Sequence, residues 1–153
     1  MNLKSLSLAA LASTLMATTL SAQAQTEIMW WHSMTAFNNE WVNTLAKQFN
    51  ESQKTYKVTP IYKGSYDESM TAAIAAYRAG NAPHILQVFE VGTATMMASK
   101  GAIVPAGKVM ADAGKKFDTS AYIAAVAGYY TAPNGQMLSF PYNSSTTVLY
   151  INK

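Results

Sequence analysis

The chain has 153 residues and a formal net charge of +3; half its residues are hydrophobic, 11% aromatic and only 12% charged. Charge this sparse, about half the share usual in globular domains, excludes a disordered charged tail and a coiled coil with charged flanks, and no Lys/Arg cluster marks a nucleic-acid footprint. There is no cysteine, which removes disulfides, thiolate metal sites and cysteine nucleophiles, and the length predicts a single domain.

Residues 1–24 read as a secretory signal peptide. Lys4 supplies the positive start, an apolar run extends from Leu6 to Leu20, and Ala22-Gln23-Ala24 places small residues at the cleavage positions. The run is about 15 residues, short of the roughly 20 that span a bilayer. The expectation is cleavage after Ala24 and release into the periplasm without stable membrane insertion. Removing 24 of the 153 residues leaves 129, and Lys4 is the only charge lost, so the net charge falls from +3 to +2.

The remaining chain, residues 25–153, begins with an aromatic-rich strand over Glu27–Ser33. Phe37, Trp41, Val42, Leu45 and Phe49 recur at helical spacing, which predicts a helix over Thr35–Asn50 capped by Thr35. Tyr56–Tyr62 alternates as a second strand, and Pro60 within it predicts an edge position or a bend. Ser65 and Glu68 form a capping box ahead of a helix that Gly80 ends. His84–Phe89 is a third strand and Val91–Ser99 a short helix closed by Gly101. Residues 107–127 predict short helices around Gly114, Asn134-Gly135 a hairpin turn, and Thr146–Ile151 a further strand. The alternation of strand and helix predicts an α/β fold, a mostly parallel sheet with helices on both faces.

Catalytic signatures are missing. His32 and His84 lie in separate strands, without the i, i+4 spacing of a helical zinc pair. No nucleophile elbow, P-loop or dinucleotide fingerprint occurs. Asp67 and Glu68 are better explained by helix capping than as an acid/base pair. No enzymatic activity, metal or cofactor is expected.

Ligands of doubly wound sheets bind beyond the carboxyl ends of the strands. Three such ends are legible: Trp30-Trp31-His32-Ser33, Lys63-Gly64-Ser65-Tyr66, and Glu90. Aromatic faces, hydroxyls and a carboxylate suit a polyhydroxy ligand, and the helix start at Tyr66 favours an anionic group. Asn143-Ser144-Ser145-Thr146 adds a polar cluster. Each position has a structural alternative: Glu90 can complement a helix dipole, one of the two tryptophans can be core, and Asn143-Ser144 can be a turn.

These residues resemble the family 1 extracellular solute-binding proteins, in the subgroup that serves ABC importers of glycerol 3-phosphate. The matching pieces are W-H-S-M (Trp31–Met34), Y-K-G-S-Y (Tyr62–Tyr66), the block from Gly80 to Lys100 (GNAPHILQVFEVGTATMMASK), G-Y-Y (Gly128–Tyr130) and Y-N-S-S-T (Tyr142–Thr146). The resemblance implies the N-terminal lobe of a type II periplasmic-binding-protein clamshell with a mixed sheet. It further implies that such a clamshell binds sn-glycerol 3-phosphate, and glycerophosphodiesters, and delivers them to membrane permease subunits. Mapped on this chain, it makes Glu90 an acceptor for glycerol hydroxyls, Tyr66 and Ser145 donors to phosphate or hydroxyl, Trp31 a wall, and Ser144 a neighbour of the ligand. Family members are much longer, and their second lobe carries an arginine for the phosphate. Here Arg78, mid-helix, is the sole arginine. The expectation is therefore an incomplete protein whose second lobe is absent. An oligosaccharide such as maltose is the alternative ligand, and a secreted phosphodiesterase the remote alternative.

Overall fold

The computed structural model describes residues 24–152 except Lys100, Phe117 and Thr146. The expected leader therefore lies, but for Ala24, outside the described residues. The elements in chain order are β1 (Thr26–His32), α1 (Ala36–Ser52), β2 (Tyr56–Tyr62), α2 (Tyr66–Arg78), β3 (Ile85–Leu86), α3 (Glu90–Ala98), α4 (Ala106–Asp112), a 3-10 turn (Thr119–Ala121) and α5 (Ala124–Tyr129).

The sheet runs β2-β1-β3 and every pair in it is parallel. Thr26 lies opposite Tyr56 and His32 opposite Tyr62, while Trp30 and Trp31 face Ile85 and Leu86 across the other edge of β1. Pro60 sits on the edge strand, where its missing N–H costs least. The chain steps from β1 to β2 in one direction and returns past β1 to β3. With right-handed crossovers this puts α1 and α2 on opposite faces. Parallel pairing also brings all three carboxyl ends to one edge of the sheet.

Helix α1 buries only a narrow seam, Val42 and Ala46. The wider stripe expected from spacing is not covered: Phe37 is 78% exposed, and Trp41 and Phe49 are also exposed. Thr35 holds the N-cap position, but its hydroxyl makes no capping bond. Helix α2 starts as expected. The Ser65 hydroxyl accepts from the Glu68 N–H at 3.3 Å, and the Glu68 carboxylate accepts from the Ser65 N–H at 2.7 Å. The helix ends on Gly80 at φ +76°, where Gly80 and Asn81 donate back to the Tyr77 and Ala76 carbonyls at 3.1 and 2.9 Å.

Strand β3 has two residues where six were expected. On both sides of it the backbone N–H groups of His84 and Gln87 still donate to the Met29 and Trp31 carbonyls, at 3.1 and 2.9 Å, but side chains take the N–H groups of the β1 side. Met29 N–H donates to His84 Nδ1 at 3.1 Å, and Ser33 N–H donates to Gln87 Oε1 at 3.1 Å. Beyond α3, the short helices appear as expected. The Asn134-Gly135 hairpin is reduced to one antiparallel bridge, Thr131 to Met137, outside the sheet.

The strand expected over Thr146–Ile151 does not form: Thr146 lies outside the described residues, and 147–152 have no regular structure. Val148, Leu149, Tyr150 and Ile151 are 62–91% exposed. Their β-branched and aromatic composition favours a strand only where an edge pairs with it. Beside β3 lies instead a largely apolar cavity of about 860 Å³, bordered by Ile74, Ile85, Leu86, Met96, Val104 and Phe140. Among the described residues, no helix is long and apolar enough to cross a membrane.

Candidate functional site

The carboxyl end of β1 is the centre of the strand-end cluster. Trp31 is buried, 8% exposed, and His32 is 1% exposed. His32 Nδ1 accepts from the Met34 N–H at 3.3 Å, which fixes the bend out of the strand. Burial lowers the pKa of His32, so its imidazole favours the neutral form that this acceptor role needs. The loop after β2 turns on Gly64 at φ +80° and lays the Lys63 ammonium 4.0 Å from the centroid of the Trp31 ring, a cation–π contact. Lys63 is thus the cation that the structure sets beside Trp31.

Tyr66 is the first residue of α2. Its ring lies 5.6 Å from that of Phe89, and its hydroxyl is 3.5 Å from Gln87 Nε2. The helix start offers an anion less than free helix ends do. The capping box already uses the Ser65 and Glu68 N–H groups, and Asp67 and Glu68 put two carboxylates in the first turn. Bonds from Ser65, its backbone N–H above all, hold the Glu68 carboxyl below the usual range, so it stays charged.

Gln87 joins the strand ends. It is 8% exposed, its backbone N–H donates to the Trp31 carbonyl at 2.9 Å, and its side chain reaches both Ser33 and Tyr66. Reasoning from the sequence missed it. The available signal was a polar residue inside the apolar run H-I-L-Q-V-F, since a buried polar residue is more informative than a buried apolar one.

Tyr142 was missed as well. Its ring packs edge-on to Trp30 at 5.7 Å and tilted against Trp41 at 5.3 Å. Burial, and secondarily the neighbouring Tyr66, raise its pKa. Asn143 Nδ2 lies 3.8 Å from Met34 Sδ. Segment 142–143 is therefore docked on the β1 end, against Trp30, Trp41 and Met34. Ser144 and Ser145 follow on irregular backbone and are exposed. The structure thus brings Trp31 and Tyr66 together through Gln87, and sets Ser144 and Ser145 one and two residues beyond a docked segment. Glu90 opens α3 immediately after Phe89, and its side chain lies outside the described residues.

The indole Nε1 of Trp31, Ser33 Oγ, Ser69 Oγ, Ser139 Oγ and Tyr142 Oη are buried without hydrogen-bond partners among the described residues. Three of the five belong to the strand-end cluster. Unpaired polar atoms are costly in a core and recur at sites built for polar recognition. Chemically, the edge offers an aromatic wall, hydroxyl donors and a lysine. Among the described residues, no three His, Asp or Glu side chains cluster to hold a metal ion.

Residues 44–153 match the bacterial extracellular solute-binding protein family. The chain is 57% identical over 132 residues to the sn-glycerol-3-phosphate-binding periplasmic protein UgpB of Brucella abortus (strain 2308), covering 86% of this chain and 30% of that protein. The protein of the same name from Rhizobium meliloti (strain 1021) is 54% identical over 132 residues, 86% of this chain and 31% of that one. That from Agrobacterium fabrum (strain C58) is 52% identical over 155 residues, 100% of this chain and 36% of that one. The chain spans about a third of the length of these relatives. A solved structure described as CpMnBP1 with mannotriose bound superposes with a TM-score of 0.59 at 20% identity, over 74% of this chain and 27% of that one, and so shares the fold.

Proposed function

The chain belongs to the bacterial extracellular solute-binding protein family, and on that premise we propose that it is the N-terminal lobe of a periplasmic receptor for sn-glycerol 3-phosphate. The receptor delivers its ligand, and glycerophosphodiesters, to the permease subunits of an ABC importer. The observation that carries this is the 52–57% identity to three proteins named for that ligand, which in one case extends over the whole chain. The strand-end edge supports it with the donor types a phosphorylated triol requires.

In this reading residues 1–24 direct export and are removed after Ala24, and residues 25–153 form one lobe of a clamshell. Glu90 accepts from the glycerol hydroxyls. Tyr66 and Ser145 donate to the phosphate or a hydroxyl, with Ser144 beside them, and Trp31 walls the carbon skeleton. Phosphate neutralisation is completed by a second lobe. The role is capture rather than catalysis, so glycerophosphodiesters leave the protein unchanged.

Isothermal titration of the complete protein tests the reading. The expected outcome is binding of sn-glycerol 3-phosphate that maltose does not displace, and a loss of at least about tenfold in Glu90→Ala, the cost of a charged hydrogen bond. Equal affinity in Glu90→Ala removes Glu90 from the site. Tight maltose binding, or turnover of a glycerophosphodiester, overturns the assignment.

A further inference from the structure

We propose that Gln87 is a positioning residue that sets the direction of the Tyr66 hydroxyl bond, and through it the affinity for the phosphorylated ligand; the proposal rests on the function assigned above.

The orientation of the Gln87 amide is settled by its first partner. The Ser33 backbone N–H can only donate, so the group facing it at 3.1 Å is the carbonyl oxygen Oε1. The NH2 group is then the one turned toward Tyr66, at 3.5 Å. An NH2 group can only donate, so the tyrosine oxygen is the acceptor in this contact. Its own proton points away from Gln87, toward a different acceptor. In the ligand-bound protein that acceptor is an oxygen of the phosphate or glycerol.

Three further features make the device stiff. Gln87 is almost fully buried, its backbone N–H holds the Trp31 carbonyl at 2.9 Å, and its side chain holds the N–H of Ser33, the residue just after β1, so main chain and side chain grip the same strand end. Phe89, two residues on, packs its ring 5.6 Å from that of Tyr66. Residues after β3 thus place both the ring and the hydroxyl of Tyr66. A glutamine here costs strand length and apolar burial, and a hydrophobic residue would serve the core better. The bond from Ser33 uses the oxygen end of the amide, and the contact with Tyr66 uses the nitrogen end.

Gln87→Glu is the direct test. A carboxylate keeps the volume and the bond from Ser33 but can only accept, so it draws the Tyr66 proton toward itself and away from the ligand. The complete protein is titrated with sn-glycerol 3-phosphate as wild type, Gln87→Glu, Tyr66→Phe and the double variant. The expected result is at least a tenfold loss on Gln87→Glu when Tyr66 is present and less than a threefold loss when it is Phe. Gln87→Met, which removes both bonds without adding a charge, repeats the cycle if the glutamate variant does not fold, with the same dependence on Tyr66. Equal losses in both backgrounds show a merely structural role and overturn the inference. No loss with Tyr66 present overturns it too. Failure of the wild type to bind sn-glycerol 3-phosphate overturns the ligand assignment and this inference together, whereas binding by the wild type with equal losses overturns this inference alone.

Discussion

Replacing Ser65 by alanine tests whether the capping box carries the start of α2 and thereby the placement of Tyr66. The box consists of two reciprocal bonds, Glu68 N–H to Ser65 Oγ at 3.3 Å and Ser65 N–H to Glu68 Oε2 at 2.7 Å. Ser65→Ala removes the first and leaves the second. Loss of a side-chain cap of this kind costs about 1 kcal/mol, which for a domain of this size lowers Tm by about 4 °C. Urea unfolding followed by circular dichroism should show a lower midpoint and an unchanged slope, since the buried surface hardly alters.

The same turn can be attacked from outside. Gly64 sits at φ +80°, and a Cβ added there would run into the Glu68 carboxylate. Gly64→Ala therefore combines backbone strain with displacement of the box and should cost more than Ser65→Ala, about 2 kcal/mol. Acid supplies the complementary sign. The bonds from Ser65 depress the Glu68 carboxyl, so its contribution is present above the ordinary glutamate range and is lost as pH falls through the lowered value. The advantage of the wild type over Glu68→Ala should shrink at strongly acidic pH. A Ser65→Ala protein as stable as wild type, or a Glu68→Ala difference that grows in acid, would refute the reasoning.

Three other outcomes follow. Val42 is fully buried in the narrow seam of α1, so Val42→Ala should cost about 2 kcal/mol in urea unfolding, far more than Phe37→Ala on the exposed side. Burial holds His32 neutral, so below its ordinary pKa the unfolded chain takes up a proton that the folded one refuses, and stability falls with acid until pH passes the lowered value. His32→Asn, whose amide oxygen can accept the same Met34 N–H, should make the decline between pH 7 and pH 5 shallower, as read from urea midpoints. Intact-mass measurement of the exported protein should find Gln25 at its N-terminus.

The elements legible in the sequence are those whose ends are set by local chemistry. Strand β2 is bounded by turn residues and matches its expected span to the residue, and of the edge or bend that Pro60 allows the structure has the edge. Helix α2 was framed by Ser65, Glu68 and Gly80, three residues whose roles depend only on neighbours within one turn. Where an element depends on partners distant in the chain, periodicity misled. Phe37, Trp41 and Phe49 repeat at helical spacing, yet the surface that meets α1 is only wide enough for Val42 and Ala46. Val148 to Ile151 have strand composition, yet no described edge pairs with them.

The candidate site divides along the same line. Trp31, Tyr66 and Glu90 can be proposed from the sequence because each stands at the end of a predictable element, and topology alone gathers parallel strand ends on one edge. Gln87 and Tyr142 were missed because their importance lies in contacts across 54 and 112 positions, to Ser33 and Trp30. The shortness of β3 and the polar cluster beside it have a common cause. A third strand of six residues would give the Met29 and Ser33 N–H groups to backbone carbonyls. Instead the imidazole of His84 and the amide of Gln87 accept them, which cuts β3 to two residues and turns side chains toward β1. An unbroken strand would leave Gln87 no reason to reach Ser33, and its NH2 group no fixed direction toward Tyr66. The deviation from ideal strand pairing is thus the step that converts a sheet edge into a polar cluster, as expected where local rules yield to a site.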